Sequence, residues 1–190
     1  MDLTQTGFLI FLAAVGVERL LELRVSRRHQ QQLASLGARK HEDPRYRLMV
    51  ALHAGVLVGA ALEVPLLRRP FLPWLAVFAA LLFAVATFLR WWVIRTLGIH
   101  WNTEVVNSAP LGVVSSGPFR WIRHPNYVGV FVELIAVPLI HTAWITAIFA
   151  AFGDVLVLRN RLRIEESVLD SVPAYRAVMS GKPRFLPRFF

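Results

Sequence analysis

The sequence predicts an all-α fold, an integral membrane helical bundle of about five transmembrane helices with a cytosolic loop and a cytosolic C-terminal helix. Hydrophobic residues make up 56% of the 190-residue chain and charged residues only 17%. The mean hydropathy is +0.52, so an ordinary soluble domain is disfavoured. The apolar residues are also gathered into charge-poor stretches, and about 20 such residues cross a hydrocarbon core ~30 Å thick.

Five stretches are candidate membrane spans of a single domain that covers residues 1–190. The third stretch carries no charge, and Trp91 and Trp92 follow it, where amphipathic rings settle at the membrane interface. The last two stretches are shorter and are separated by residues 138–141, so we expect a tight helical hairpin. The predicted spans are residues 3–21, 48–67, 71–89, 127–140 and 142–158.

The distribution of basic residues orients these spans, because cytosolic loops collect Lys and Arg. The chain has 21 Lys and Arg residues against 12 Asp and Glu residues. With five spans, only Arg68 and Arg69 fall outside the loop between spans one and two, the loop between spans three and four, and the tail that includes Arg188. The N-terminus is therefore predicted outside and the C-terminus in the cytosol.

The net charge of +9 is thus explained by membrane topology. A nucleic-acid partner is disfavoured, because the basic residues are divided among three regions and do not line one groove with stacking aromatics. The chain has no cysteine, which excludes disulfides, Cys-ligated zinc and cysteine nucleophiles.

The loop of residues 100–127 is the richest polar stretch. Turn-forming residues fill it, and His124-Pro125-Asn126 leads directly into the fourth span. Pro125 suits the first turn of a helix, where a missing N–H costs nothing. The stretch is either an interfacial turn that begins a membrane helix or a ligand site. In a site, the helix N-terminus would receive an anion, and the Tyr127 ring would face a cation.

A second polar stretch follows the fifth span. Arg161 and Glu165 stand at i and i+4, a favourable pair on a solvated helix. Glu165 and Glu166 project about 100° apart, so only one of them is expected to face a ligand.

Ionisable residues inside the spans are functional candidates, since an unpaired charge in the hydrocarbon core costs ~3 kcal/mol or more. Glu18, Glu63, Glu133 and Asp154 are these candidates. Glu133 lies two turns beyond the start of its span and is expected to face the protein interior.

The remaining candidates in the spans have a local explanation as well. Glu18 can pair with Arg19, and Asp154 can pair with Arg161, near the cytosolic ends of their spans. His53 either packs between helices through a hydrogen bond or belongs to a site.

The block SSGPFRWIRHPNYVGVFVELIAVPL at residues 115–139, followed by RNRLRIEESVL at 159–169, resembles the C-terminal half of the isoprenylcysteine carboxyl methyltransferase family of integral membrane methyltransferases. The N-terminal half carries VGVERLLELRVSRRH, HEDPRY and LHAG. It is similar to a bacterial branch associated with type III polyketide synthases, whose members methylate alkylpyrone or alkylresorcinol lipids. A bacterial inner membrane is the implied location.

The resemblance implies S-adenosylmethionine as methyl donor and no metal. It assigns the donor to residues 100–127 and 159–190 at the cytosolic face, with membrane lipid and a lipophilic methyl acceptor as partners. The chain holds no GxG pattern, so a Rossmann-type site is not expected. The residues carried over to donor binding are Gly117, Pro118, Arg120, His124, Pro125, Asn126, Tyr127 and Glu165.

On the substrate side, the resemblance leads us to predict Arg161 and Glu166 as a catalytic pair, with His100 and Glu104 as further candidate bases. The acceptor is a phenolic or pyrone hydroxyl, or a carboxylate such as that of a prenylcysteine. Phospholipid N-methylation is an alternative. A transporter, which would favour inverted repeats and broken helices, and a structural subunit are the non-enzymatic alternatives.

Overall fold

A computed structural model describes residues 2–187, so Arg188 and the end of the 159–190 region lie outside the described residues. The described chain is mainly helical, which confirms the all-α class. A two-stranded antiparallel sheet joins β1 (Arg39–Lys40) to β2 (Val106–Asn107). The α-helices are α1 (Leu3–Ser35), α2 (Tyr46–Leu66), α3 (Pro73–Leu97), α4 (Pro125–Leu139), α5 (Trp144–Leu169) and α6 (Pro173–Met179).

Two segments are long and apolar enough to cross a membrane, α2 and the Pro73–His100 segment that contains α3. The helix α4 is apolar but has only 15 residues. The number of five spans therefore stays a prediction.

Two helices continue well beyond their predicted spans. The 33-residue α1 passes the predicted end at residue 21, and the 26-residue α5 joins the predicted fifth span to the predicted cytosolic helix. Charges were taken as span boundaries, but a charge at the membrane surface does not end a helix. Residues 140–143 form the short connection between α4 and α5, where a hairpin was predicted.

Close packing of α3 against α4 depends on Gly129. A Cβ atom at this position would lie 2.6 Å from Cγ of Arg90 and 3.2 Å from the carbonyl oxygen of Ala86. The same contact region carries an ion network. Arg90 lies 2.5 Å from Glu133 of α4 and 2.7 Å from Glu22 of α1. Glu133 therefore faces the interior, as predicted.

Arg19 extends this network along α1. It bonds Glu22 at 2.9 Å, and it also contacts Glu18 at 3.2 Å and Glu133 at 3.4 Å. The carboxylates and guanidinium groups of three helices thus pair with one another inside the bundle, as buried charges require.

The helix α5 is capped by a side chain from another helix. Glu63 of α2 accepts hydrogen bonds from the backbone N–H groups of Ile145 and Thr146 at 3.1 and 2.7 Å. Arg69 donates to the same carboxylate at 2.9 Å. A carboxylate satisfies the free N–H groups at a helix N-terminus and suits its positive end. The Glu63 contacts thus give this ionisable residue a structural role.

Replacement of Glu63 by Ala is expected to destabilise the protein by ~3–5 kcal/mol, the usual effect of breaking a buried ion pair. Glu63→Gln should lose less stability than Glu63→Ala, because the amide oxygen of Gln still accepts a hydrogen bond. Thermal unfolding in detergent measures both variants. Glu42→Ala is the control, since Glu42 is exposed, and a Glu63→Ala protein as stable as this control would contradict the capping role.

Candidate functional site

A cavity of about 650 Å³ lies between the helices and the loop of residues 98–124. This volume falls within the ~300–1,000 Å³ that small-molecule sites usually have. We call the end near the loop the polar half. It is lined by residues that include Trp101, Asn102, Arg123, His124, Pro125, Asn126, Tyr127, Arg161, Glu165 and Tyr175.

The opposite end, the apolar half, is enclosed by three helices. It is lined by Ala13, Gly16, Val17 and Leu20 of α1, by Val50, His53, Ala54 and Leu57 of α2, and by Asp154, Val157 and Leu158 of α5. The two halves belong to one continuous cavity.

A hydrogen-bond network joins α4 to α5 at the polar half. The hydroxyl group of Tyr127 donates to Glu165 and accepts from Nε of Arg161 at 2.7 Å. Arg161 also donates to the backbone oxygen of Thr103 at 2.6 Å and lies 3.5 Å from the carboxylate of Asp43. One buried guanidinium group therefore connects α4, α5, the loop that follows α1 and the loop of residues 98–124.

The loop itself is fixed to α1 and to the loop that follows α1. Thr103 donates its backbone N–H to Ser26 at 2.9 Å, and His29 contacts the backbone oxygen of Trp101 at 2.8 Å. The strand pair β1–β2 and the 2.5 Å contact between Lys40 and Glu104 add to this attachment. The α1 extension beyond its predicted span thus forms part of the wall of the site.

The sequence HPNY begins α4 as predicted. His124 precedes the helix, and Pro125 is its first residue. His124 is only 4% exposed, and its ring centroid lies 5.6 Å from that of Tyr127. These two rings form an aromatic corner of the cavity.

Glu166 binds the C-terminal tail. Arg184 donates two hydrogen bonds to its carboxylate, at 2.8 and 2.6 Å, and Arg123 lies 3.2 Å away. Nε2 of His124 is 3.2 Å from the same carboxylate. The backbone N–H groups of Arg123 and His124 donate to residues 183 and 184. The tail is thereby held against the start of α4.

The predicted pair of Arg161 and Glu166 is not brought together. Glu165, at i+4, shares the face of Arg161, whereas Glu166 points about 140° away along the helix. Arg161 and Glu165 line the cavity, and Glu166 lies outside its lining within the described chain.

Of the predicted donor-binding residues, those of the HPNY sequence and Glu165 line the cavity. Gly117, Pro118 and Arg120 lie outside the cavity lining in residues 2–187. Gly117 has a φ of 55°, and a Cβ there would meet Thr96 at 2.6 Å, so it makes a tight turn against α3. The functional roles of these residues stay predictions.

Several residues of the site have no role in the sequence-based prediction. The cavity wall carries buried polar atoms that lack a hydrogen-bond partner among residues 2–187, including Nε1 of Trp101, Oδ1 of Asn102, Nε of Arg123 and Oδ1 of Asn126. The polar sequence HWNTE at residues 100–104 was the signal from which Trp101 and Asn102 could have been predicted as site residues. The predicted bases His100 and Glu104 also line the cavity, but they contact Ser108 and Lys40.

Glu166 is expected to make stability pH-dependent. Burial alone would raise its pKa, but hydrogen bonds from Arg184 and His124 and the charge of Arg123 hold the pKa below the ordinary 4.5. A carboxylate with a lowered pKa stabilises the fold above its unfolded pKa, and that stabilisation is lost as the pH falls through the folded pKa. The difference in melting temperature between the parent and Glu166→Gln should therefore be largest above pH 4.5 and shrink below it.

Glu42→Gln is the matched control for this measurement, since it removes an exposed carboxylate. A Glu166→Gln difference that stays constant from neutral to acidic pH would contradict the assignment.

Comparisons with known proteins identify the family and the fold. The model of the isoprenylcysteine carboxyl methyltransferase (ICMT) family matches residues 77–171, half of the chain. The uncharacterised protein YpbQ of Bacillus subtilis is 28% identical over 162 residues, which cover 85% of this chain and 96% of YpbQ. An uncharacterised protein of Haemophilus influenzae is 27% identical over 162 residues, which cover 84% of this chain and 93% of that protein.

A solved structure has the same fold. It is that of the eukaryotic intramembrane Ras methyltransferase ICMT, with a TM-score of 0.56 and 25% sequence identity. The match covers 72% of this chain and 49% of that enzyme, so the chain spans about half its length. The matched residues 77–171 include the HPNY sequence, Arg161 and the Glu165–Glu166 pair. The chain belongs to the isoprenylcysteine carboxyl methyltransferase family of membrane methyltransferases.

Proposed function

We propose that the protein transfers a methyl group from S-adenosylmethionine to an oxygen atom of a lipophilic acceptor. The observation that carries this proposal is the single cavity, which joins a polar half at the loop to an apolar half between the helices. A polar donor and a lipid acceptor can meet in such a cavity without leaving the protein.

The residues of the polar half fit S-adenosylmethionine. The unpartnered oxygens of Asn102 and Asn126 can accept hydrogen bonds from amino groups, and the indole N–H of Trp101 can donate one. Tyr127 offers an aromatic face, which attracts a sulfonium cation. Glu165 adds a carboxylate for an ammonium group or for ribose hydroxyls.

The apolar half fits a lipid tail. Ala13, Val17 and Leu20 of α1 and Val50 and Ala54 of α2 line the cavity, and they are also exposed on the bundle surface. The cavity wall therefore reaches the lipid-facing surface between α1 and α2. A lipophilic acceptor would enter sideways from the bilayer.

Bound S-adenosylmethionine would supply a methyl group already activated on sulfur. The chain contributes alignment and exclusion of water. Arg161 serves this purpose, because it fixes Tyr127 against Glu165 and fixes the loop against α5. The wall that these contacts make rigid would then hold donor and acceptor in line where the two halves of the cavity meet.

Two classes of oxygen acceptor are compatible with the family. The solved relative is named a Ras methyltransferase and an isoprenylcysteine carboxyl methyltransferase, which favours a prenylcysteine carboxylate. The N-terminal sequence favours a phenolic or pyrone hydroxyl. Phospholipid N-methylation, in which a nitrogen atom accepts the methyl group, is the alternative reaction. We place the protein in a bacterial inner membrane with the N-terminus outside and the polar half at the cytosolic face.

Binding of S-adenosylmethionine tests the proposal first. Asn126→Ala should weaken binding about tenfold, because one hydrogen bond to a polar or charged ligand group is lost. His124→Ala should also weaken it, and calorimetry on detergent-purified protein measures both variants. Asn160→Ala is the matched control, since Asn160 donates to the backbone oxygen of Leu156 in its own helix and lies outside the cavity lining of residues 2–187.

Glu166→Gln separates two roles in the same assay. Because Glu166 binds the tail, we expect this variant to affect donor affinity less than Asn126→Ala does. A well-folded parent protein that binds no S-adenosylmethionine would refute the methyltransferase proposal and favour a transporter or a structural subunit.

A bulky residue at the side opening should separate acceptor entry from donor binding. Ala54→Trp is expected to raise the KM for a lipophilic acceptor several-fold and to leave S-adenosylmethionine affinity unchanged, because position 54 is remote from the polar half. Ala151→Trp, on another helix, is the control. An unchanged KM in the Ala54→Trp enzyme would rule out entry between α1 and α2.

A further inference from the structure

Asp154 is a buried carboxylate in the apolar half of the cavity. It is 5% exposed, lines the cavity, and makes no hydrogen bond or ion pair within residues 2–187. The predicted contact with Arg161 is absent there, because Arg161 bonds Tyr127, Thr103 and Asp43. An unpaired buried carboxylate costs several kcal/mol, so a partner from outside the chain would stabilise it.

His53 lies at the same level of the bundle as Asp154. Two contacts between α2 and α5 show that the two residues lie at a similar depth. Met49 contacts Arg161, and the Leu52 side chain packs over Gly153. Nδ1 of His53 is 2.8 Å from the backbone oxygen of Met49. A carbonyl oxygen only accepts, so Nδ1 carries the proton and Nε2 is left as a hydrogen-bond acceptor.

The position of Asp154 separates it from the polar half. It lies seven residues before Arg161 on the same face of α5, which places it about 10 Å deeper along the helix. Val157 and Leu158 lie between the two residues and also line the cavity. Asp154 is thus a polar group that α5 presents to the apolar half of the cavity, where a lipophilic acceptor would carry its own polar group.

The arginines that line the cavity are already paired. Arg19 and Arg90 bond Glu18, Glu22 and Glu133. Arg123 contacts Glu166, and Arg161 contacts Asp43. A carboxylate acceptor would therefore be repelled by the negative charge of Asp154, and the described part of the wall holds no arginine without a charged partner to offset this repulsion. A hydroxyl group would find two hydrogen-bond acceptors, the Asp154 carboxylate and Nε2 of His53.

We propose that Asp154 is the acceptor-side catalytic residue, which binds the hydroxyl group of a lipophilic phenol or enol and removes its proton, with Nε2 of His53 as the second hydrogen-bond acceptor. This inference rests on the proposed function. It selects a hydroxyl-bearing acceptor over a carboxylate-bearing one. Like charges repel a carboxylate at this position, and the buried carboxylate orients a neutral hydroxyl.

The step balances as follows. The acceptor oxygen forms a bond to the methyl carbon, and the methyl–sulfur bond breaks with its electron pair left on sulfur. The proton of the hydroxyl passes to the Asp154 carboxylate, and it is released to water when the product leaves.

A matched pair of probes tests this inference, 4-dodecylphenol and 4-dodecylbenzoate, which share the ring and the tail and differ in the head group. We expect the parent to bind the phenol more tightly than the benzoate. Asp154→Asn should weaken phenol binding about tenfold, strengthen benzoate binding, and lower kcat for phenol methylation about 100-fold or more. Donor affinity should not change, and the melting temperature should rise or stay the same, because the variant removes an unpaired buried charge.

Asp170→Asn is the control, since Asp170 follows the end of α5 outside the cavity lining of the described chain. Asp154→Leu is a second variant, which removes both the charge and the acceptor atoms and should abolish the phenol preference as well.

The outcomes separate this inference from the proposed function. A parent that binds no S-adenosylmethionine refutes both. A parent that binds the donor but prefers the benzoate, or that methylates no phenol, overturns the inference alone. So does an Asp154→Asn enzyme that keeps the phenol preference and the parent kcat.

Discussion

The structure depends on one constraint, that charges carried into an apolar bundle must be paired. Arg90 is 4% exposed and is neutralised by Glu133 of α4 and Glu22 of α1. The same pairing fixes how closely α3 approaches α4, because the stem of Arg90 occupies the space over Gly129. The Glu63 carboxylate is also paired. It accepts hydrogen bonds from the backbone N–H groups that begin α5. The charged residues that interrupt the spans therefore connect the helices to one another through ion pairs and hydrogen bonds.

The site follows from the length of the helices. Because α1 and α5 continue past the apolar part of the bundle, they reach the loop of residues 98–124 and form two sides of its support. Arg161 occupies the centre of this assembly and contacts Tyr127, Thr103 and Asp43. Glu166, one residue beyond Glu165, serves a different purpose and holds the tail through Arg184. The adjacent carboxylates thus have different surroundings, because they point in different directions from one helix: Glu165 lines the cavity and Glu166 holds the tail.

Within this arrangement Asp154 is the exception to the pairing rule. The other ionisable residues discussed for the spans have partners of opposite charge or hydrogen-bond partners, and Asp154 faces the cavity alone within the described chain. An unpaired buried carboxylate lowers the stability of the folded protein, so the fold itself gives no reason for Asp154 to be unpaired. Such a residue is better explained by a ligand than by the fold. In the proposed function, Asp154 would give the acceptor pocket a chemical preference that its apolar wall could not supply.

The sequence by itself determined the all-α membrane class, the order of the helices, the family, and the HPNY start of α4, because composition and short-range spacing carry these properties. It also placed Glu133 in the interior. It did not determine that α1 reaches residue 35, that Arg161 pairs with Asp43 and not with Glu166 or Asp154, or that Glu63 caps α5. Only the tertiary structure decided these points, because each contact joins residues that are far apart in the chain or depends on the face of a helix that packing turns toward the cavity.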